Sequence, residues 1–383
     1  MPFGVYDSEE GSVKLLFVID NLSTGGAQRQ MVNLALGLRQ RGHEIDFFCY
    51  ALGDLLAQPL QAAGIPVRRH LKHGRYSPGV ILALRNLIAG EPYDLVLSFL
   101  STPNFYALLT GRLLAARRIP VIVSERFCDL SQRSSLTEFL VRQFYRFATH
   151  VVVNSHHQRV SLARRYPWLQ DRLSTIYNGY DLRAFVPPLS EPNNSPLKIL
   201  TIASVSPYKN GLCLVEALSI LRQQYNLLPC VTWIGQRVMC GERLKYLNQM
   251  EQRIAEYGLA QQWQWLDQRS DIVSQLHRHD ALVHPSYGEG LPNVVCEALA
   301  CARPVIVSNT LDHPRLVQNG SSGYLFNWRD PSDLARKIVL FNNLSTEERT
   351  QVGQHGRAFA EEHLSLDRFV DEYERLFRLL LHG

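Results

Sequence analysis

Short apolar runs separated by helical stretches recur along the whole chain, in two successive sets. In the first set the strand patterns are Val13–Asp20, Ile45–Tyr50, Val67–Arg69, Leu95–Phe99, Val121–Ser124, Val151–Asn154 and Leu173–Ile176. Helical patterns lie between them at Gln28–Gln40, Pro78–Ile88, Asn104–Ala116, Leu136–Phe147 and His156–Tyr166. A turn-rich stretch follows, with Pro187-Pro188 and Pro192-Asn193-Asn194-Ser195-Pro196, and reads as a linker. The alternation then restarts with strands Lys198–Ala203, Val231–Gly235, Trp263–Leu266, Ala281–His284, Val305–Ser308 and Gly323–Phe326. Its helices are Leu212–Arg222, Glu242–Tyr257, Ile272–His277 and Pro292–Ala302, and Glu347–Leu381 is amphipathic helix. Continuous apolar strands spaced by helices demand parallel sheets covered on both faces. A chain of 383 residues suits two such domains. The expectation is an α/β protein with Rossmann-like domains at 1–188 and 189–364, and a terminal helix at 365–383. Ligands of such sheets bind at the carboxyl ends of the strands.

One such end carries the most chemistry. His284–Pro304 reads HPSYGEGLPNVVCEALACARP, a strand running into a Ser/Gly/Glu loop and a helix that begins near Leu291. Pro292 suits the first helical position, leaving the amides of Asn293 and Val294 at a helix N-terminus beside Gly288 and Gly290. Such an end attracts phosphate. Glu289 in the loop and Glu297 in the helix bracket it, and Glu297 leans back toward the amides. A phosphate site beside carboxylates that accept from hydroxyls suits a nucleotide or a sugar nucleotide. An ordinary strand–loop–helix with two solvated glutamates is the alternative.

A second glycine loop, Asn21–Ala27, follows the first strand with Gly25 and Gly26. It is not G-x-G-x-x-G, which argues against a nicotinamide-dependent oxidoreductase. Ser98, Ser101, Glu125, Arg126 and the Asn154-Ser155-His156 run also fall at strand carboxyl ends in the first half. Glu125 and Arg126 are weighed as either ligand groups or a structural ion pair. His277 and His279 diverge at their spacing, and no C-x-x-C or Asp-x-Asp occurs, so no metal site is expected.

Glu-x7-Glu within EGLPNVVCEALACARPVIVS resembles the nucleotide-sugar signature of the family 4 retaining glycosyltransferases. GGAQR resembles that family's GGAER-like loop, and Ser124-Glu125-Arg126 resembles a subgroup that reads SER there. The resemblance implies a GT-B fold, two Rossmann-like domains with parallel sheets facing across a cleft, the last helix returning to the first domain. It implies transfer of a hexose or N-acetylhexosamine from a nucleotide diphosphate sugar to an acceptor hydroxyl, with retention and without a metal or other cofactor. Glu297 would bind the ribose and Glu289 the donor hexose. Lys209, Gly25, Gly26, Gly290, Leu291, and the Asn293 and Val294 amides would surround the diphosphate. Ser101, Glu125 and Arg126 would face the acceptor. Ser204-Val205-Ser206-Pro207-Tyr208-Lys209-Asn210 departs from the family's G-R-L-x-P-x-K loop, with Ser204 where an Arg is common. Arg237 is the candidate substitute. A non-catalytic sugar-nucleotide-binding protein is the other reading, and the presence of both glutamates and Lys209 argues against it.

Composition bounds the setting. The seven cysteines show no paired spacing, no apolar run is long enough to span a bilayer, and the start MPFGVYDSEE does not read as a signal peptide. A cytoplasmic location is expected. Residues 1–190 hold 21 Lys/Arg against 14 Asp/Glu, although the whole chain is only +5. Nucleic acid is not an expected partner, because the arginines are dispersed and no binding motif occurs. Arg112, Arg117, Arg118, Arg142 and Arg146, with Phe139, Leu140 and Phe147 nearby, are expected to form a basic, partly apolar surface. Such a surface would bring the protein onto an anionic membrane carrying a lipid-linked acceptor.

Overall fold

The computed structural model describes residues 11–23, 25–74, 77–126, 136–189, 195–237 and 240–382. The first ten residues, Cys128 and residues 190–194 of the expected linker lie outside them. The chain divides into two compact units, Met1–Gly179 with Leu366–Gly383, and Tyr180–Ser365.

The first unit runs β1 (Lys14–Ile19), α1 (Gly26–Gln40), β2 (Glu44–Cys49), α2 (Ala57–Ala62), β3 (Val67–Arg69), α3 (Pro78–Gly90), β4 (Leu95–Phe99) and α4 (Ser101–Leu108). It continues with β5 (Val121–Glu125), α5 (Leu136–Gln143), β6 (His150–Val153), α6 (His156–Arg165) and β7 (Leu173–Thr175). Its strands pair in parallel in the order β3-β2-β1-β4-β5-β6-β7.

The second unit runs β8 (Lys198–Ile202), α7 (Gly211–Tyr225), β9 (Cys230–Ile234), α8 (Gly241–Glu256), β10 (Trp263–Leu266) and α9 (Ile272–Arg278). Next come β11 (Ala281–His284), α10 (Asn293–Ala300), β12 (Val305–Ser308), α11 (His313–Leu316), β13 (Tyr324–Phe326), α12 (Pro331–Asn342) and α13 (Thr346–His363). Its order is β10-β9-β8-β11-β12-β13, again all parallel. In both sheets the strand order reverses beside the first strand, between β1 and β4 and between β8 and β11. Those are the points where an open α/β sheet leaves a crevice at its carboxyl edge.

The central strands are buried on both faces, as their unbroken apolar runs demand: Leu15 to Ile19, Val121 to Val123 and Val305 to Val307 are fully enclosed. The amphipathic C-terminal stretch is two helices. α14 (Leu366–His382) lays Phe369, Val370, Tyr373, Leu376 and Phe377 into the first unit's core beside Leu34 and Leu38 of α1. Each such side chain contributes about 1.5–3 kcal/mol by leaving water. Gly37 permits the close approach, because a Cβ there would sit 2.4 Å from Val370 Cγ2.

The chain enters the second unit before the proline-rich stretch, not at 188/189. Tyr180 donates its amide to the Leu364 carbonyl at 2.9 Å, Arg357 donates to the carbonyls of Leu182 and Phe185, and His277 pairs with the Val186 carbonyl at 2.8 Å. These bonds tie residues 180–186 to the second unit. The Asn104–Ala116 pattern also resolves differently, as α4 followed by a π-helical turn at Leu109–Leu114.

Candidate active site

Because β8 and β11 are neighbours, the loops leaving their carboxyl ends start side by side. The β8 loop passes through a short 3-10 turn, Pro207–Lys209, and ends at Asn210 in the left-handed conformation (φ 59°), which asparagine tolerates. Asn210 Nδ2 donates to the carbonyls of Pro285 (3.2 Å) and Trp328 (2.8 Å). The Tyr287 amide and the Ser286 hydroxyl both donate to the Tyr208 carbonyl, at 2.9 and 3.1 Å. Locked together in this way, the loops bring Lys209 onto Glu289, 80 residues apart in sequence.

The Lys209 ammonium donates to Glu289 Oε1, and the same oxygen lies 3.1 Å from His284 Nε2. The Lys209 and Glu289 side chains are about 85% buried, being 14% and 15% exposed, and His284 is 1% exposed. No group among the described residues donates to Glu289 Oε2. Burial alone would raise the Glu289 pKa, but the Lys209 charge and the His284 hydrogen bond outweigh it and hold the carboxyl at about 2. Burial also lowers the His284 pKa, and the Glu289 carboxylate only partly offsets it. At neutral pH Glu289 is therefore a carboxylate and His284 a neutral imidazole.

The helix beyond this loop starts one residue later than expected, with Pro292 as its N-cap and Asn293 and Val294 as its first two residues. The Cys296 amide makes the first full-turn bond, to the Pro292 carbonyl at 3.2 Å, so the Asn293 and Val294 amides precede the helical ladder. Six of the eight α10 residues are buried; Asn293 and Glu297, one turn apart, are half-buried and share a face. Tyr180 donates its hydroxyl to Asn293 Oδ1 at 2.7 Å. Gly290 and Leu291 are buried against the same helix start.

Arg237, at the end of β9, pairs with Asp267 across 3.6 Å and is over one-third exposed. Its strand end abuts the β8 loop: the Val205 amide donates to the Gln236 carbonyl, and Gly235 (φ 153°) presses so close that a Cβ would sit 2.1 Å from the Ala203 oxygen.

Gly25, Gly26, Ser101, Glu125 and Arg126 belong to the first unit. Gly25 is the N-cap of α1, covered by the Gln28 side chain, which reaches back to Asp20 Oδ1 at 2.9 Å. A Cβ on Gly25 would lie 2.1 Å from Gln28 Oε1. Ser101 is half-buried at the start of α4, after Leu100 in a positive-φ conformation. Glu125 corrects an expectation. It is 2% exposed, receiving Arg142 Nη2 at 3.0 Å and the Tyr145 hydroxyl at 2.6 Å, so its carboxylate is an internal anchor, not an acceptor-facing group. Arg126, the next residue, donates to Asn178 and Tyr373 and stacks on the Phe99 ring at 3.9 Å. Ser98 donates to Asn104, and Ser155 caps α6.

Arg142 is a second correction. α5 ends at Gln143 and tightens into a 3-10 turn, Phe144–Phe147, so Arg142 and Arg146 do not share a face. Arg142 points inward and Arg146 outward. Sequence reasoning missed His284: a lone histidine closing an apolar strand reads as core, and its position five residues before Glu289 was the available signal.

Among the described residues, no group of three or more His, Cys, Asp or Glu is arranged to hold a metal ion, six cysteines are unpaired, and no helix is long and apolar enough to cross a membrane. His279 is held by the Gln275 carbonyl and the Thr232 hydroxyl.

Two family profiles match, Glycosyltransferase Family 4 over residues 24–184 and Glycosyl transferases group 1 over residues 187–359. An Escherichia coli UDP-Gal:alpha-D-GlcNAc-diphosphoundecaprenol alpha-1,3-galactosyltransferase is 24% identical over 276 residues, covering 68% of this chain and 69% of that protein. A D-inositol 3-phosphate glycosyltransferase from Mycolicibacterium vanbaalenii is 24% identical, over 92% of this chain and 85% of the relative. Among solved structures, Anabaena Alr3699/HepE in complex with UDP and glucose superposes with a TM-score of 0.80 at 20% identity, covering 96% of this chain and all of that one. A Rickettsia africae glycosyltransferase gives 0.82 at 20% identity, over 97% and 99% of the two chains. Two parallel-sheet α/β units, each spanned by its own profile, make the chain a member of the group 1 glycosyltransferases of GT-B fold.

Proposed function

We propose that this glycosyltransferase moves a hexose or N-acetylhexosamine from a nucleotide diphosphate sugar to an acceptor hydroxyl, with retention at the anomeric carbon and without a metal. The observation that carries the proposal is the Lys209–Glu289 pair beside the α10 N-terminus, at the point where strand order reverses. The diphosphate would lie against Lys209, the Asn293 and Val294 amides and the Gly290-Leu291 turn. Glu289 Oε2 would accept from the sugar hydroxyls and Glu297 from the ribose. As the anomeric C–O bond breaks, charge grows on the departing diphosphate. Donors already fixed there stabilise it without reorganising. The acceptor oxygen bonds to the same face and its proton passes to the leaving phosphate oxygen, so no protein nucleophile is required. Lys209 and the helix end supply positive charge, and no cofactor beyond the donor is called for. Arg237, displaced from Asp267, would supply the cation that Ser204 does not.

The names of two relatives include lipid-diphosphate-linked acceptors, and a surface of the first unit suits that class. Arg112, Arg118 and Arg172 lie near enough that burial and their mutual repulsion lower the Arg112 pKa. Arg146 lies 5.8 Å from the Trp168 ring, and Leu113, Leu114, Phe139, Leu140, Phe147 and Trp168 are exposed around them. We assign this patch, without Arg142, to an anionic membrane surface, and the reaction to polysaccharide or glycolipid synthesis. Liposome flotation with and without phosphatidylglycerol tests it; equal recovery on neutral and anionic vesicles rejects it. For the chemistry, a thermal-shift panel of UDP- and GDP-sugars identifies the donor, because a bound ligand stabilises by RT ln(1+[L]/Kd). NMR of the product must show the donor's anomeric configuration, and turnover must persist in EDTA. An inverted product or loss of turnover on chelation overturns the proposal.

A further inference from the structure

Two donors converge on Glu289 Oε1, and they differ in how firmly they are held. Lys209 is a flexible ammonium with three N–H groups, which a diphosphate would attract. His284 is the last residue of β11, 1% exposed, with its Nε2 at 3.1 Å from Oε1. Its Nδ1 is enclosed and meets no hydrogen-bonding partner. A neutral imidazole has one N–H, and only Nε2 faces an acceptor, so the hydrogen bonding assigns the proton to Nε2. The groups around the ring are Lys209, Glu289 and the edge-on ring of His313, at 5.6 Å between centroids. His313 is itself fully buried, bonded through Nδ1 to Ser308.

We propose that His284 is a positioning residue that fixes the Glu289 carboxylate through Oε1, so that Oε2 stays presented to the donor sugar while Lys209 engages the diphosphate. The inference rests on the reading that Glu289 accepts from the donor hexose. A carboxylate held by Lys209 alone loses its anchor when the ammonium turns to the phosphates, and becomes free to rotate. A buried imidazole in a central strand cannot follow, so it keeps one oxygen occupied throughout. The consequence is specific: His284 supports recognition of the sugar and leaves recognition of the nucleotide untouched.

Calorimetric titration of the full chain tests this with UDP-glucose, UDP-galactose, UDP-N-acetylglucosamine and GDP-mannose as probes, alongside UDP and GDP. The readout is the ratio of affinities for the sugar nucleotide and its bare nucleotide. His284→Leu removes the donor and lowers that ratio by about tenfold, the loss of one hydrogen bond to a charged group. His284→Gln places an amide N–H at the reach of Nε2 and keeps the ratio near wild type. Should His284→Leu not fold, His284→Asn, too short to reach Glu289, takes its place. An unchanged ratio in the leucine or asparagine variant, or a glutamine variant that behaves like it, overturns the inference. Glu289→Gln runs in parallel: an unaltered ratio there overturns the Glu289 reading and this inference with it. A lowered ratio in Glu289→Gln beside an unaltered one in His284→Leu overturns the role of His284 alone. Wild-type protein that binds none of the probes overturns the donor reading itself.

Discussion

Arg142 Nη2 lies 3.0 Å from Glu125 Oε1, with both side chains almost wholly out of water and the second carboxylate oxygen taken by the Tyr145 hydroxyl. Tyr145 in turn accepts from Asn104, whose side chain also receives Ser98 and donates to the Ser124 carbonyl. This network fills the carboxyl ends of β4 and β5, directly before Arg126. Breaking one side of a buried pair leaves an uncompensated charge, which costs about 3–5 kcal/mol. Arg142→Met should therefore lower the denaturant midpoint strongly, whereas Arg142→Met with Glu125→Leu should recover much of the loss. A midpoint that does not move in the single variant would show the pair to be energetically idle.

The two glutamates of α10 and its loop should separate cleanly. Glu297 shares its face with Asn293 at the helix start, the place for a ribose, so Glu297→Ala should weaken binding of UDP-glucose and UDP alike, at about 1.5–3 kcal/mol per lost charged hydrogen bond. Glu289→Gln should weaken the sugar nucleotide while sparing UDP. Titration of both variants with both ligands decides it, and an interchange of the two patterns would interchange the assignments.

Much of this arrangement was legible because strands apolar on both faces can only be central strands of a covered parallel sheet. What escaped was local. Glu125 ends a strand, and nothing in sequence tells whether its side chain faces the cavity or the interior, because the partner that decides, Arg142, lies 17 residues away. The Glu347–Leu381 pattern reads as continuous helix, but Leu364 and Ser365 interrupt it where Tyr180 bonds to them. The sequence points to a unit boundary at the prolines, since the bonds that bind residues 180–186 to the second unit come from Arg357 and His277, far along the chain. Family resemblance assigned Lys209 and Glu289 to one donor, but their contact, and His284 with it, became visible only in three dimensions.

Lys209 should act on the chemical step. Its ammonium already compensates Glu289, and its added value comes as the diphosphate gains charge on departure. Lys209→Ala should lower kcat more than it raises the donor KM, and steady-state kinetics with the identified donor measures both. An effect confined to KM would make it a ground-state anchor instead.

Acid should destabilise the protein from about pH 6.5 downward. Burial lowers the pKa of His150 to about 4 and of His313 to about 3, and lowers those of His279 and His284 below the ordinary 6.5 of an imidazole. Above pH 6.5 these rings are neutral in both folded and unfolded chains and add no slope. Below it the unfolded chain takes up protons that the folded chain refuses. Stability therefore falls with pH, by at most about 1.4 kcal/mol per unit for each ring, until the folded-state values are reached. Glu289 acts in the same direction at lower pH: its carboxyl is held at about 2 against 4.5, so its contribution is complete above about 4.5 and is lost as pH falls toward 2. Thermal melts from pH 8 to 4.5 should show the decline beginning near 6.5. His150→Gln, which keeps a donor toward the Ser174 hydroxyl now 2.9 Å from Nε2, should make it shallower. A melting temperature that stays flat to pH 4.5, or a slope unchanged in the glutamine variant, would mean that the buried rings accept protons without cost.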